Sequence, residues 1–339
     1  MKLEFVAHLA GGFRLYLNDE DNYVLVNENT RTAIGISDYG SLVTKKDGHI
    51  ITDGGGKLGI ADLYGNILVP CEYDIFCSPP ENEGEIAPIF DDTGYVRAGT
   101  DGKFCFFTNE GEKICEAIYD VARSFCNGFA AVMREEKWTF IDENGNELFP
   151  PKYDDVDDFE SISSGEAVAT VYLETEKGRL QAAINKNGEE IIPLDHQAIF
   201  FLGSDDDYRF IVVRDMKQKT TIRKFNGELF SSLTFDKVMY DVDSETIVAV
   251  KNGKMGVVGP DDKVIIPFEY DKLFYDRHYD VYQSKKENLW GLIRKDGKVL
   301  KDCVYTSMLD IRDGKMQVSK SSKKSGKYFY LTVEGKEEH

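Results

Sequence analysis

The sequence has little of the chemistry on which enzymes and metal proteins depend. Its five histidines are scattered, none lies four residues from another, and none has a cysteine at metal-ligand spacing. It contains no Gly-Lys-Ser or Gly-Lys-Thr phosphate loop and no G-x-S-x-G nucleophile motif. Its acidic pairs lack the ligand spacing, glycine and terminal glutamate of a calcium loop. We therefore expect a protein that is not an enzyme, with no catalytic residue, no cofactor and no bound metal.

The sequence also lacks any apolar stretch long enough to span a membrane. Residues 1–8 carry a charge inside their apolar run and show no cleavage-site pattern, so a secretory signal is not expected. The six cysteines include no C-x-x-C pair, and Cys105 and Cys115 fall at apolar strand positions. Buried free thiols in a reducing compartment are therefore expected, rather than a disulfide framework. Together these features predict a cytoplasmic protein with no membrane contact.

Positive charge is in short supply as well. Lysine and arginine total 41 against 60 aspartates and glutamates, which gives a net charge of −19. A nucleic-acid-binding protein needs a basic footprint, so nucleic acid is not an expected partner. The excess acid favours a protein partner with a basic surface, although it is equally compatible with an acidic protein that is simply soluble.

What the sequence does contain is a repeated unit, seen best in residues 128–159. Trp138 and Phe140 point to one side of an extended segment and Thr139 to the other, because strand side chains alternate. Asn144-Gly145 is a strong hairpin signal, since both residues tolerate a positive φ. The unit therefore predicts about four short strands and no helix.

The turn glycine of this unit has counterparts along the whole chain, at intervals of about 35–45 residues. Most residues six positions before the turn are small, and those seven positions before it are mostly large and apolar. The nine turn anchors are Thr30, Gly65, Gly111, Gly145, Gly188, Gly227, Asp262, Gly297 and Gly335.

A ring lies eight residues after the anchor in seven copies, and we expect it in the core. The rings are Tyr73, Tyr119, Tyr153, His196, Phe235, Tyr270 and Tyr305. Five of them are followed by an aspartate, which we expect to anchor a turn by accepting hydrogen bonds from backbone amides. These aspartates are Asp74, Asp120, Asp154, Asp236 and Asp271.

Short segments of this pattern resemble the WG (or KWG) repeat family. They are Lys-Leu-Gly-Ile at Lys57, Lys-Met-Gly-Val at Lys254 and Leu-Trp-Gly-Leu at Leu289. The tails ending in Tyr73-Asp74 and Tyr270-Asp271 resemble the family too. The resemblance implies a bacterial β-repeat protein whose motif positions are structural, with no catalytic residues among them.

The expected fold is all-β, with tandem repeats of about 35–45 residues in a propeller-like array of four-stranded meanders. Nine anchors exceed the usual limit of eight blades, so an open β-solenoid or superhelical array is the alternative. We expect residues 1–339 to form a single WG-type repeat domain.

Acidic runs in the predicted inter-strand loops are the candidate partner-binding residues. Loop positions carry binding residues more often than repeat cores do. The candidates are Asp154, Asp155, Asp157, Asp158, Glu160, Asp205, Asp206 and Asp207. Residues 77–93, the longest insertion, are a candidate binding loop or a connection without function. Residues 315–327, a basic stretch, are either a phosphate-attracting segment or, as we expect, a solvated hairpin loop.

These observations favour a non-enzymatic protein-interaction scaffold that binds a basic protein partner. One alternative is an acidic immunity or inhibitor protein that neutralises a toxin, which the charge of −19 supports. A further alternative is a carbohydrate-binding propeller, suggested by the 18 tyrosines, although most of them occupy core positions of the repeat. An enzyme with its site in a central channel is the interpretation with the least support.

Overall fold

The structure is a computed structural model of the chain. It describes residues 2–9, 12–19, 23–30, 32–35, 43–44, 48–53, 55–64, 66–77, 89–161, 165–176, 178–204, 207–239, 247–260, 262–321 and 327–338.

The described strands form nine antiparallel sheets. Sheet 1 contains β1 (Glu4–His8), β2 (Phe13–Leu17), β3 (Tyr23–Asn27) and β4 (Thr32–Gly35), and sheet 2 contains β5 (Val43–Thr44), β6 (His49–Asp53), β7 (Leu58–Asp62) and β8 (Ile67–Tyr73). Sheet 3 contains β9 (Ile75–Cys77), β10 (Tyr95–Thr100) and β11 (Lys103–Thr108), and sheet 4 contains β12 (Val121–Cys126), β13 (Phe129–Arg134) and β14 (Lys137–Asp142). Sheet 5 contains β15 (Asp155–Val156), β16 (Glu160–Ser161), β17 (Ala167–Thr175), β18 (Gly178–Asn185) and β19 (Glu190–His196).

The remaining four sheets follow the same plan. Sheet 6 contains β20 (Ala198–Ser204), β21 (Asp207–Arg214), β22 (Thr220–Arg223) and β23 (Leu229–Phe235), and sheet 7 contains β24 (Lys237–Met239), β25 (Ile247–Lys251), β26 (Lys254–Val258) and β27 (Val264–Tyr270). Sheet 8 contains β28 (Lys272–Asp276), β29 (Val281–Lys286), β30 (Leu289–Arg294) and β31 (Val299–Tyr305), and sheet 9 contains β32 (Ser307–Met308), β33 (Lys315–Ser319), β34 (Phe329–Thr332) and β35 (Glu337–Glu338).

Each sheet is an up-and-down meander, as the repeat predicts. In sheets 1, 2 and 6–9 the four strands pair in chain order. In sheets 3 and 4 isolated bridges take the place of a full fourth strand: Phe104–Tyr119 and Phe107–Lys113 in sheet 3, and Trp138–Tyr153 and Ile141–Glu147 in sheet 4. Eight of the nine anchors lie among the described residues, and each falls in the turn that leads to the last strand of its sheet or, in sheets 3 and 4, to the bridges that replace that strand. The all-β prediction and the four-stranded meander are confirmed, and the described ladders lack the coil-to-coil pairing of a β-solenoid.

The boundary of the unit differs from the one that the sequence pattern suggested. Sheet 4 begins at Val121 and closes at the Trp138–Tyr153 bridge. Phe159 therefore lies beyond sheet 4 and packs against Phe140 and Phe129 from the next one, with ring centroids 4.7 and 4.6 Å apart. The pattern could not show this, because Asp154 continues from one sheet into the next without a turn signal.

A bulge in the fourth strand explains the small residue six positions before the turn. In sheet 7 the register passes from Met255–Tyr270 to Val257–Ile266, so residues 267–269 face Gly256 alone. A Cβ at Gly256 would lie 2.7 Å from the carbonyl oxygen of Ile266. In sheet 4 the position holds Thr139, whose hydroxyl donates to the carbonyl of Phe149 at 2.6 Å.

The cores lie between consecutive sheets. One buried cluster joins Val257 and Tyr270 of sheet 7 to Tyr282 and Ile293 of sheet 8. The rings after the anchor are buried in six of their seven copies, while His196 is half-buried. Their predicted place in the core is therefore confirmed for those six.

Contacts divide the chain into two compact units. Unit 1 comprises Met1–Glu160, Ala169–Leu173 and Lys186–Gly188, and unit 2 comprises Ser161–Val168, Glu174–Asn185 and Glu189–His339. Sheets 1–4 therefore belong to unit 1, and sheets 6–9 belong to unit 2. The single domain expected over residues 1–339 stays a prediction.

No α-helix occurs in the part of the chain that the structure describes. That part accordingly contains no helix able to cross a membrane.

Candidate interaction site

A lysine–aspartate ion pair recurs wherever the ring is followed by an aspartate. The lysine lies 17 residues earlier, at the start of the third strand. The five pairs are Lys57–Asp74, Lys103–Asp120, Lys137–Asp154, Lys219–Asp236 and Lys254–Asp271.

These aspartates also hold the first hairpin of the following sheet. The second carboxylate oxygen of Asp271 accepts a hydrogen bond from the amide of Glu287 at 2.9 Å, and Asp74 accepts one from Asp101 at 2.9 Å. The lysine ammonium, followed by the amide, lowers the pKa of Asp74. The predicted turn-anchoring role is confirmed for Asp74, Asp120, Asp236 and Asp271, because each of these carboxylates accepts a hydrogen bond from a backbone amide of the following sheet.

Arg123 binds the candidate acids Asp155 and Asp158 within unit 1. Its Nη2 lies 3.2 Å from Asp155 Oδ1, and its Nη1 lies 3.9 Å from Asp158 Oδ1. The same Nη1 donates to the carbonyl of Val156 at 2.7 Å, and the guanidinium carbon lies 4.5 Å from the ring centre of Trp138. These carboxylates are thus partly committed to contacts between sheets 4 and 5.

The other candidate acids have different surroundings. Asp157 is exposed and accepts a hydrogen bond from the Tyr172 hydroxyl. Glu160 is half-buried, and burial, followed by the charges of Asp158 and Asp157, raises its pKa. With Asp154 bound to Lys137, the run at residues 154–160 is a structural element as well as a charged surface.

Several of the remaining candidate residues lie outside the described part of the chain or next to its ends. Asp205 and Asp206 lie outside the described residues, and Asp207 is described only in its backbone, where it opens β21 opposite Ser204. Most of the candidate loop at residues 77–93 also lies outside them. The basic stretch begins as strand β33, and its Lys315 pairs with Glu338 at 2.6 Å.

A row of large apolar side chains lies on the first strands of unit 2. The position four residues after each ring is occupied by a large apolar residue in sheets 6, 7, 8 and 9. We call these four residues the first-strand row: Phe200, Met239, Phe274 and Leu309. Met239 is half-buried, while Phe200, Phe274 and Leu309 are 49%, 51% and 52% exposed. Sheets 3, 4 and 5 have Cys77, Arg123 and Asp157 at this position.

A cavity of about 380 Å³ opens beside this row, between sheets 8 and 9. The rings of Phe274 and Trp290 stack within it, with centroids 6.0 Å apart and planes 25° from parallel. The amide nitrogen of Gln283 donates to the carbonyl of Leu309 at 2.8 Å and ties the two sheets together. The lining also includes the carboxylates of Asp276 and Asp310 and the residue Met308.

Thiols and imidazoles form no reactive cluster among the described residues. All six cysteines are free, and burial raises the pKa of Cys105 to about 11 and that of Cys115 to about 12, which makes both poor nucleophiles at neutral pH. His196 lies 2.9 Å from the carbonyl of Pro193 and 2.6 Å from Asp195 Oδ1. No group of three or more potential metal ligands occurs among the residues that the structure describes.

The sequence profile described as "WG containing repeat" matches residues 106–138, 138–161 and 290–323. Three segments of the chain thus match the WG repeat. The three matched segments include the anchors Gly111, Gly145 and Gly297, and the last begins at the Trp290-Gly291 pair. The matched segments lie within the meander sheets and so form part of a β-repeat scaffold.

No curated protein sequence matches this chain. Solved structures that align with it include one described as a eukaryotic initiation factor, with 12% identity, coverage of 96% of this chain and 94% of that one, and a TM-score of 0.35. Others are BamB from Moraxella catarrhalis (12% identity, 73% and 82% coverage, TM-score 0.24) and the Dos1 propeller (10% identity, 82% and 88% coverage, TM-score 0.28). At these scores the likeness adds nothing to what the sheets of this chain show.

Sequence reasoning missed the first-strand row and the cavity beside it. The signal was present, because the row lies at a fixed offset of four residues from rings that the repeat alignment had already placed. Aligning that column would have shown the change from Cys77, Arg123 and Asp157 to four apolar residues.

Proposed function

We propose that this protein is a non-enzymatic WG-repeat scaffold that binds a basic protein partner through the first-strand row of unit 2. The observation that carries the proposal is the repetition of large apolar side chains at one register position of four consecutive sheets, three of them about half exposed. Exposed apolar surface of this kind marks interaction sites, because leaving it in water is unfavourable.

The charge of the chain supports a basic partner. Asp276 and Asp310 line the cavity beside the row, and the chain carries a net charge of −19. Carboxylates around an apolar centre speed the encounter with a basic protein and disfavour acidic ones. In this proposal the acids at residues 154–160 and 205–207 strengthen the field that steers the partner.

The test requires the partner, captured from a lysate of the native cell with the full chain as bait and then purified. Phe200→Ser, Phe274→Ser and Leu309→Ser are combined in one variant. The matched control combines Leu229→Ser, Val264→Ser and Val299→Ser, which are 46%, 46% and 49% exposed on the fourth strands of sheets 6, 7 and 8. Both variants remove three half-exposed apolar side chains, so they differ mainly in location.

We expect the first variant to weaken binding at least about a hundredfold, since apolar residues at an interface centre contribute most of the affinity. The control should bind within about threefold of wild type. A greater loss in the control than in the row variant would place the interface on the fourth strands and contradict the proposal.

A carbohydrate ligand is the second candidate, and the stacked Phe274–Trp290 pair in the cavity favours it. Aromatic rings beside carboxylates can hold the face of a sugar, as the cavity lining would allow. A screen of neutral oligosaccharides against wild type and Trp290→Ala decides this: binding that requires Trp290 supports a carbohydrate function, and binding by neither protein removes it.

A further inference from the structure

The two tryptophans of the chain occupy the same position of two repeats, but their surroundings differ. Trp138 and Trp290 both lie seven residues before the turn anchor and both pair with the ring of the fourth strand. Trp138 is 8% exposed. Trp290 is half-buried and lines the cavity.

In sheet 4 an arginine fills the space over the tryptophan. Arg123, four residues after its ring, stacks on Trp138, donates to the carbonyl of Val156 and approaches Asp158. Sheet 3 uses the same acceptor position, since Arg97 Nη1 donates to the carbonyl of Ala122 at 2.7 Å. Ala122 and Val156 both lie three residues after the ring of the preceding fourth strand. The guanidinium groups of Arg97 and Arg123 therefore donate to carbonyls at equivalent positions, each on the first strand of the following sheet.

Between sheets 8 and 9 the receiving groups of this arrangement are present without the arginine. The position of Arg123 is occupied by Phe274, the position of Val156 by Met308 and the position of Asp158 by Asp310. Met308 and Asp310 both line the cavity with Trp290. Asp310 is exposed and has no ion-pair partner within the described part of the chain.

We propose that the cavity beside Trp290 binds the guanidinium of an arginine side chain from the protein partner. The guanidinium packs against the edge of the stacked Phe274–Trp290 pair, pairs with Asp310 and donates toward the Met308 carbonyl, which are the counterparts of the carboxylate and carbonyl that Arg123 contacts in sheet 4. An arginine suits this site better than a lysine, because its planar group stacks on rings and donates in several directions at once. The inference rests on the proposed function in one respect, which is that the arginine belongs to the basic partner.

Lys285 opposes this binding and offers a second handle on it. Its ammonium nitrogen lies 5.3 Å from the ring centre of Trp290, whereas the residue at the same register in sheet 4 is Met133. A cation so close to the site repels a guanidinium. Lys285→Met therefore makes sheet 8 more like sheet 4 and should tighten binding.

The test uses the full chain and a short peptide, acetyl-Gly-Arg-Gly-amide, titrated while the indole N–H resonances of Trp138 and Trp290 are followed by NMR. Trp290→Phe assigns the two signals. We expect a saturable shift at Trp290 with a Kd of about a millimolar, and no shift at Trp138. The citrulline peptide, equal in shape but uncharged, and the lysine peptide serve as ligand controls and should bind at least about fivefold more weakly.

Four variants then separate the contacts. Asp310→Asn should weaken binding of the arginine peptide about fivefold, while Asp302→Asn, which changes an exposed carboxylate on β31, should leave its binding unchanged. Lys285→Met should tighten binding about threefold. Phe274→Arg should abolish it, because an internal arginine fills the cavity as Arg123 does, and a retained or raised melting temperature shows that this variant folds.

Equal shifts with the citrulline peptide, or unchanged binding by Phe274→Arg, would overturn the inference. The peptide readout does not need the partner, so the two proposals can fail separately. If the cavity binds the arginine peptide but the row variant binds the partner as wild type does, this inference stands and the proposed interface is wrong. If the row variant loses the partner but the cavity does not bind the arginine peptide, only the arginine site is wrong.

Discussion

At the scale of single residues, the turn anchor has to adopt a positive φ and to lie close to the preceding sheet, and glycine allows both. Gly145 has a φ of 78°, a conformation that costs other residues energy, and a Cβ there would overlap the carbonyl oxygen of Ile114 in the preceding sheet. Asp262, an anchor that is not glycine, also has a positive φ, of 62°, and its carboxylate accepts hydrogen bonds from Ser231 Oγ at 2.7 Å and from the Ser232 amide at 2.6 Å. In both cases the anchor contacts the preceding sheet: Gly145 through its backbone and Asp262 through its side chain.

The two demands can be separated by two alanine substitutions. Gly128 has a φ of 86° but open space where a methyl group would lie, whereas a methyl group at Gly145 would overlap Ile114. Gly128→Ala should destabilise by about 1–2 kcal/mol, the cost of the left-handed conformation. Gly145→Ala should cost at least about twice as much, because the overlap with Ile114 adds overpacking. Urea unfolding of both variants measures this, and equal losses would show that the close approach is unimportant.

The ring after the anchor is a second residue-scale test. Tyr153 is 2% exposed and Tyr270 is 6% exposed, so truncation leaves a large cavity between sheets. Tyr153→Ala and Tyr270→Ala should each destabilise by about 3–5 kcal/mol in chemical unfolding. Tyr153→Phe, which keeps the ring, is the control and should lose far less. Melting within about 1 °C of wild type for both alanine variants would contradict a core role.

Most of these positions could be predicted from the sequence, and the reason is their spacing. The anchor, the small residue and the ring each face a backbone constraint that repeats from sheet to sheet, so they recur in register. The Arg123–Trp138 stack and the Trp290 cavity could not be predicted in this way. Both depend on the side chain four residues after the ring, a position at which the backbone imposes no residue type. This side chain is Arg123 beside Trp138 and Phe274 beside Trp290.

At the scale of elements, the sheets are joined by aspartates placed where one sheet passes into the next. Asp271 accepts from Lys254 of sheet 7 and from the Glu287 amide of sheet 8. The lysine contact is an exposed ion pair, which contributes little, whereas the hydrogen bond from the Glu287 amide fixes the turn of the following sheet. The carboxylate should therefore matter more than the lysine that pairs with it.

This ranking can be checked at one junction. Asp271→Ala removes both contacts, and Lys254→Met removes only the ion pair while keeping the apolar stem. We expect Asp271→Ala to lower the melting temperature clearly and Lys254→Met to change it little. The opposite order would mean that the ion pair, and not the turn, joins the sheets.

Glu337 makes the last junction sensitive to acid. Lys301, Tyr305 and Lys320 donate hydrogen bonds to it and lower its pKa from 4.5 to about 2. Because the folded pKa lies below the unfolded one, this stabilisation is complete above about pH 4.5 and is lost as pH falls toward 2. Glu337→Gln should therefore flatten the fall in unfolding midpoint between about pH 5 and pH 2. A variant that parallels wild type over that range would contradict the role of Glu337.

At the scale of the whole molecule, charge and apolar surface have separate tasks in the proposed function. The first-strand row supplies contact area, and the excess of 60 acids over 41 bases supplies a field. The acids that sequence reasoning selected, Asp155 and Asp158, are partly neutralised by Arg123. Neutralising them would disturb the junction of sheets 4 and 5 as well as the field, so the field is better tested by changing the solution than by changing the protein.

The most direct measurement is the association rate of the purified partner with the full chain across a salt series. Surface carboxylates act over about 8–10 Å at physiological ionic strength, and added salt screens them. The account predicts an association rate that falls about tenfold or more between low and high salt while the dissociation rate changes little. An association rate that is the same at both ends of the series would contradict a basic partner steered by this acidic scaffold.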